Sequence, residues 1–175
     1  MSLQKPKAPR KSITPSEYGR TGKDIPVPFS GEAVSKPSEL LAAVSYDWND
    51  DARGLLLVAV IRGGIDYKTF ESIALKTPLK EKDWAIVLDT TPRTLMRYKK
   101  DNKTFAPKQT EKIIEIQQLM HYGQTVFGAT ASFHSWLTHE NVGMGGVCPI
   151  TLLDTSVGLG MVKDALGRIE HGILA

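Results

Sequence analysis

A chain of 175 residues holds one domain or two small ones. Its 41% hydrophobic and 23% charged residues are ordinary for a globular protein, and no apolar run approaches the roughly 20 residues of a membrane span. A net charge of +3 does not by itself mark a nucleic-acid binder. The single Cys148 excludes an internal disulfide, and the N-terminus lacks a signal-peptide apolar stretch, so a reducing cytoplasm is expected.

Residues 1–48 read as an irregular arm. Six of the ten prolines fall there, each removing a backbone donor and restricting its predecessor. The run Leu55–Ile61 is core-sized, and helix is favoured over strand because helices follow it. Gly63-Gly64 breaks the chain. Asp66 can cap a short helix whose Tyr67, Phe70, Ile73 and Ala74 share a face. Thr77-Pro78 punctuates, and residues 80–88 form the next helix with Trp84, Ala85 and Leu88 inward. Asp89-Thr90-Thr91 is a turn. Thr91 followed by Pro92 starts the helix over 92–100, a hydroxyl cap preceding a proline whose missing N–H costs nothing.

A longer helix begins near Phe105-Ala106-Pro107, with Ile116, Leu119, Met120, Gly123 and Phe127 on one face, and stops at Gly128. Thr130 can cap a helix carrying Phe133, Trp136 and Leu137, the latter two as core anchors. Gly143, Gly145 and Gly146 form a loop, Pro149–Asp154 a short helix. Thr155 caps the last helix, whose inner face is Val162, Ala165, Leu166 and Ile169. The expected fold is all-α, with no strand-hairpin signal and no internal repeat.

Two short helices, a tight turn and a basic second helix satisfy the requirements of a helix-turn-helix. Between Arg93 and Lys112 stand seven basic residues against two acidic ones, +5 in a chain that is only +3 overall. Such a concentration is the electrostatic footprint of phosphate binding. The candidate DNA contacts are Thr91, Arg93, Thr94, Arg97, Tyr98, Lys99 and Lys100, with Leu95 inward. A solvated basic face on an ordinary bundle is the plain alternative.

Catalytic chemistry finds little support. Cys148 adjoins Pro149 in a glycine-rich loop with no oxyanion arrangement, so pairing with His134, His139 or His171 is not expected to make it a nucleophile. His134 and His139 are five apart, off the spacing that puts two ligands on one helical face. Glu111 and Glu115 read as a solvated face. Gly143-x-Gly145-Gly146 follows no strand, so it is not a dinucleotide fingerprint. The reading is therefore no enzyme, no catalytic residue, no metal and no cofactor.

The most informative stretch is Phe133-His134-Ser135-Trp136-Leu137, Asn141, Gly145-Gly146 and Pro149–Thr155, closing on Gly167-Arg168-Ile169-Glu170-His171-Gly172. It resembles the toxin-binding domain of the Xre/MbcA/ParS antitoxin family, and the resemblance covers about residues 53–175. Thr91-Pro92-Arg93-Thr94-Leu95-x-Arg97 is similar to that family's Xre-like recognition helix, which usually opens Ser-Pro-Arg-Thr-Leu. The chain departs from the pattern in the turn, where Asp89 replaces a glycine and Thr90 an apolar residue.

The resemblance implies an Xre-like DNA-binding and dimerisation module over 49–105 and a toxin-binding domain over 106–175. It implies a RES-type, NAD-consuming toxin as partner, together with operator DNA, a homodimer and repression of its own operon. It further implies that the terminal segment obstructs the toxin's active site, with Arg168, Glu170, His171, Gly172, Ile173 and Leu174 as contacts. Arg168 can enter the toxin pocket or cap its own helix, and the residues leave both open. A second reading is a plain helix-turn-helix repressor whose C-terminal domain only dimerises.

Overall fold

A computed structural model describes residues 51–173. The arm assigned to residues 1–48 and the terminal Leu174 lie outside them. The described residues form seven α-helices: α1 (Asp51–Gly63), α2 (Tyr67–Ala74), α3 (Glu81–Val87), α4 (Pro92–Asp101), α5 (Pro107–Phe127), α6 (Thr130–Thr138) and α7 (Ser156–Glu170). Two 3-10 turns, Val142–Met144 and Pro149–Leu152, fill the segment between α6 and α7. The all-α expectation holds over these residues.

Helix starts follow side-chain chemistry. Asp66 accepts the Thr69 N–H at 2.9 Å, Thr91 the Thr94 N–H at 3.2 Å and Thr155 the Gly158 N–H at 3.0 Å. Each satisfies a donor that the first turn leaves unpaired. Thr130 behaves differently. It is the first residue of α6, the cap position belongs to Ala129, and no side chain caps that helix.

The spine is α5, which packs against α1, α2, α6 and α7. Its Ile113, Ile114, Ile116 and Leu119 are essentially inaccessible. Toward its N-terminal end lies an aromatic cluster. Phe70 meets Trp84 edge-on at 5.0 Å and Phe105 at 5.0 Å, while Tyr98 lies 5.1 Å from Phe105. Toward its C-terminal end, Phe127 and Phe133 pack at 5.8 Å and Phe133 and Trp136 at 6.0 Å. The two groups belong to one continuous hydrophobic cluster that extends through Leu153, Leu159, Val162 and Leu166.

A buried polar stitch joins the α1–α2 junction to the α4–α5 junction. Phe105 N–H donates to Ile65 O at 2.8 Å. The fully buried Thr110 hydroxyl accepts from Ile65 N–H at 3.3 Å and donates to Phe105 O at 3.4 Å. Buried backbone groups left unpaired are costly, so this stitch fixes where α4 ends relative to α2.

Two expected core positions are shallower than periodicity suggests. Trp136 is half-buried and Ile169 is 40% exposed. Both line one groove beside the end of α7. Among the described residues, no helix is long and apolar enough to cross a membrane.

Candidate functional site

Two surfaces carry the candidate residues. The first is the α3–α4 pair. Helix α3 closes with Asp89 at φ 48, while Asp89 N–H donates to Ile86 O at 3.0 Å and Thr90 N–H to Ala85 O at 2.8 Å. This is the paired bonding of a left-handed helix stop, and a short polar residue takes it in place of glycine. The tight turn between α3 and α4 is therefore made with Asp89.

Helix α4 then shows one open face. Arg93, Arg97 and Lys100 are exposed at successive turns, with Met96 beside them at 59% exposure. Leu95 is buried, as expected. The other candidates are placed differently. Lys99 turns toward α2 and pairs with Glu71 at 2.6 Å, and this hydrogen bond holds its ammonium pKa above the usual 10.5. Tyr98 is half-buried against Phe105, with the Lys103 ammonium 5.4 Å above its ring. The Thr91 and Thr94 hydroxyls lie 3.0 Å apart at the exposed cap of α4. The structure thus brings Thr91, Arg93, Thr94, Arg97 and Lys100 to one edge and commits Tyr98 and Lys99 to packing and pairing.

The far end of α4 is held by a residue that the sequence reading passed over. Asn102 sits at φ 42, accepts the Lys68 N–H at 3.1 Å and donates its amide to Asp66 at 3.1 Å. Asparagine after a basic helix is the available signal for such a stop. Partial burial pushes the Asp66 pKa up. Hydrogen bonds from Thr69 and Asn102 and the charge of Lys68 outweigh this and hold it below the usual 3.8.

A carboxylate lowered in the folded state binds protons less readily than in the unfolded chain. Its stabilisation is therefore complete above 3.8 and is lost as pH falls through the lower folded value. Asp66→Ala should cost about 1 kcal/mol near neutrality through loss of the cap. Urea midpoints of the two chains should converge as pH drops from about 5 to about 3. A gap independent of pH would show that Asp66 is not the titrating contributor.

The second surface is the end of α7. His171 N–H donates to Gly167 O at 3.1 Å, Gly172 N–H to Ile169 O at 3.1 Å and Ile173 N–H to Arg168 O at 2.8 Å. Gly172 makes this stop at φ 66, where a side chain would be strained. The chain thus leaves the helix along a defined path. Glu170, His171, Gly172 and Ile173 are all exposed, Ile173 at 58%. Glu170 accepts the Tyr122 hydroxyl at 2.7 Å, which ties this end to α5.

Arg168 is half-buried, and its side chain makes no hydrogen bond to its own helix end or to any other described residue; its Nε is sealed from solvent. It stands in the last turn of α7, where a cation is favoured, without bonding the helix carbonyls through its side chain. It lines a groove of 320 Å³ with Trp136, Asn141 and Met144, residues that the sequence reading did not assign to binding. They come from separate segments, and no local signal brings them together.

Residues 123–172 match the profile described as the antitoxin Xre/MbcA/ParS C-terminal toxin-binding domain. The chain is 27% identical over 125 residues to a protein named Antitoxin Xre from Yersinia enterocolitica, covering 71% of this chain and 84% of the relative. It is 25% identical over 127 residues to a protein named Prs ADP-ribosylating antitoxin from Sphingobium sp., covering 67% and 80% respectively. A third relative, named Antitoxin Xre, from Photorhabdus laumondii, is 31% identical over 72 residues, or 41% of this chain and 49% of the relative. The chain resembles the Xre/MbcA/ParS antitoxins, and residues 123–172 resemble their toxin-binding domain. The likenesses are thus to antitoxins, proteins named for what they bind.

Proposed function

We propose that this antitoxin-like chain neutralises a RES-type, NAD-consuming toxin by obstruction and represses its own operon as a homodimer. The observation that carries the first part is the end of α7. Its apolar side chains Ile169 and Ile173 stand in the open, yet three backbone hydrogen bonds fix the path of the chain between them. An ordered apolar end loses little freedom on binding, so it suits insertion into a cleft better than a frayed one. Arg168, Glu170, His171, Gly172, Ile173 and Leu174 are the contacts on this reading. An arginine without an internal acceptor is available to oxygens of the partner.

The second part rests on the open face of α4. On this reading the exposed Arg93, Arg97 and Lys100 reach the major groove and its phosphates, with the helix entering by its N-terminal turn. Two copies related by two-fold symmetry would read two half-sites. The proposed functional division is residues 49–105 for DNA and dimerisation and 106–175 for the toxin.

The obstruction is tested by co-expressing the toxin with a chain that stops after His171. This keeps the buried Ala165 and Leu166 and removes the exposed Gly172 and Ile173 with the two residues that follow them in sequence. The truncated chain should accumulate, co-purify more weakly and leave cells unprotected. Full protection by a chain without Gly172–Ala175 would remove the obstruction from the account.

A further inference from the structure

The groove beside Arg168 is not explained by an inserting tail. It runs between the end of α7 and the corner at Asn141–Met144, walled by Trp136, Met144, Ala165 and Ile169. Its polar groups are Asn141 and Arg168. Asn141 closes the corner with its backbone, donating to Val147 O at 3.1 Å and accepting from Gly146 N–H at 2.9 Å. Its side-chain amide has no hydrogen-bond partner among the described residues. The Arg168 Nε is also unpaired, and it is sealed from solvent. Buried donors are ordinarily satisfied, so the unpaired Nε shows that no internal acceptor holds this guanidinium, and its terminal nitrogens remain for one from outside.

We infer that this groove receives a segment of the toxin bearing a carboxylate side chain next to an apolar one. This rests on the reading that the domain binds a toxin, and it adds a second contact in the opposite direction. A carboxylate is acceptor-only and can take the two terminal nitrogens of the guanidinium together, which are not sealed as Nε is. Among the described residues Arg168 is the one ionisable side chain on the lining, so an acid is favoured there and a base is repelled. Trp136, Met144 and Ile169 supply the apolar contact. Gly172 and Ile173 form one lip of the same groove. The tail would thus enter the toxin while a toxin segment enters beside it.

The test uses full-length chains altered at residues that the tail reading does not employ. Met144→Glu sets a carboxylate on the groove wall near Arg168. Met144→Lys changes the same position with the opposite charge and keeps an apolar stem. Asn141→Ala removes the amide. Each is titrated against the purified toxin by calorimetry, with thermal melts and size-exclusion chromatography alongside.

Met144→Glu should weaken binding by about tenfold or more and Asn141→Ala by several-fold, both with melts like that of the parent, while Met144→Lys stays within about threefold of it. If Met144→Glu does not fold, Asn141→Ala decides. Parental affinity in both Met144→Glu and Asn141→Ala overturns the groove and leaves the toxin reading intact. Equal losses in Met144→Glu and Met144→Lys overturn the carboxylate assignment. A changed oligomeric state with unchanged toxin affinity makes the groove a contact between copies and also overturns the inference. A parent chain that does not bind the toxin at all defeats the reading on which the inference rests.

Discussion

Gly158→Val should abolish the native packing of the C-terminal half. A Cβ at this position would fall on the carbonyl of Leu152, with the Leu152 Cβ only 2.9 Å away. The obstacle is backbone, not the far end of a flexible side chain, so relief requires moving the Pro149–Leu152 turn away from α7. That turn packs on both α6 and α7, and the fully buried Leu153 follows it. Separating them unpacks Leu159 and Val162 as well. Overpacking of this kind costs about 3 kcal/mol or more, and the melting temperature should fall by about 10 °C if the chain remains soluble.

Gly160 is the internal control. It lies on the same helix two residues on, and a Cβ there meets nothing within 4 Å. Gly160→Ala should be neutral or stabilise by about 0.5–1 kcal/mol through helix propensity. Similar melts for Gly158→Val and the parent would mean that α7 does not dock against the turn as described.

Arg93→Ala and Arg97→Ala should each weaken operator binding by about 1–3 kcal/mol, roughly 5- to 150-fold, if they reach base edges. If instead they meet phosphates, binding should weaken on all sequences and the salt dependence should drop by about one unit of slope per residue. Lys99→Ala should do much less, because that ammonium is already engaged by Glu71 on α2. A gel-shift series at several salt concentrations separates these outcomes. Equal losses at Lys99 and Arg97 would mean that the basic face acts only as a diffuse charge.

The order and starts of the helices were readable because single residues announce them. Asp66, Thr91 with Pro92, and Thr155 each cap the helix assigned to them, and Asp89 takes the left-handed turn expected of it. Thr130 failed because a hydroxyl near a helix start need not occupy the cap. Its neighbour Ala129 holds that position with extended dihedrals.

Periodicity gave the direction of α7's inner face but not its depth. Ile169 points with Leu166 yet lies past the end of the core, so it is exposed where Leu166 is sealed. Charge counting likewise marked α4 without seeing that Lys99 faces Glu71 and that Tyr98 packs on Phe105. The groove was invisible for a different reason. Asn141, Met144 and Arg168 are brought together by packing between segments, and no one stretch of sequence contains them.

The account turns on whether the end of α7 keeps NAD out of the toxin. The most direct measurement is binding of a fluorescent NAD analogue to the purified toxin, followed while the chain is added. The intact chain should displace the analogue as the complex forms, and the chain ending at His171 should bind more weakly and leave the analogue in place. Stoichiometric binding of the intact chain with the analogue still bound would contradict the account.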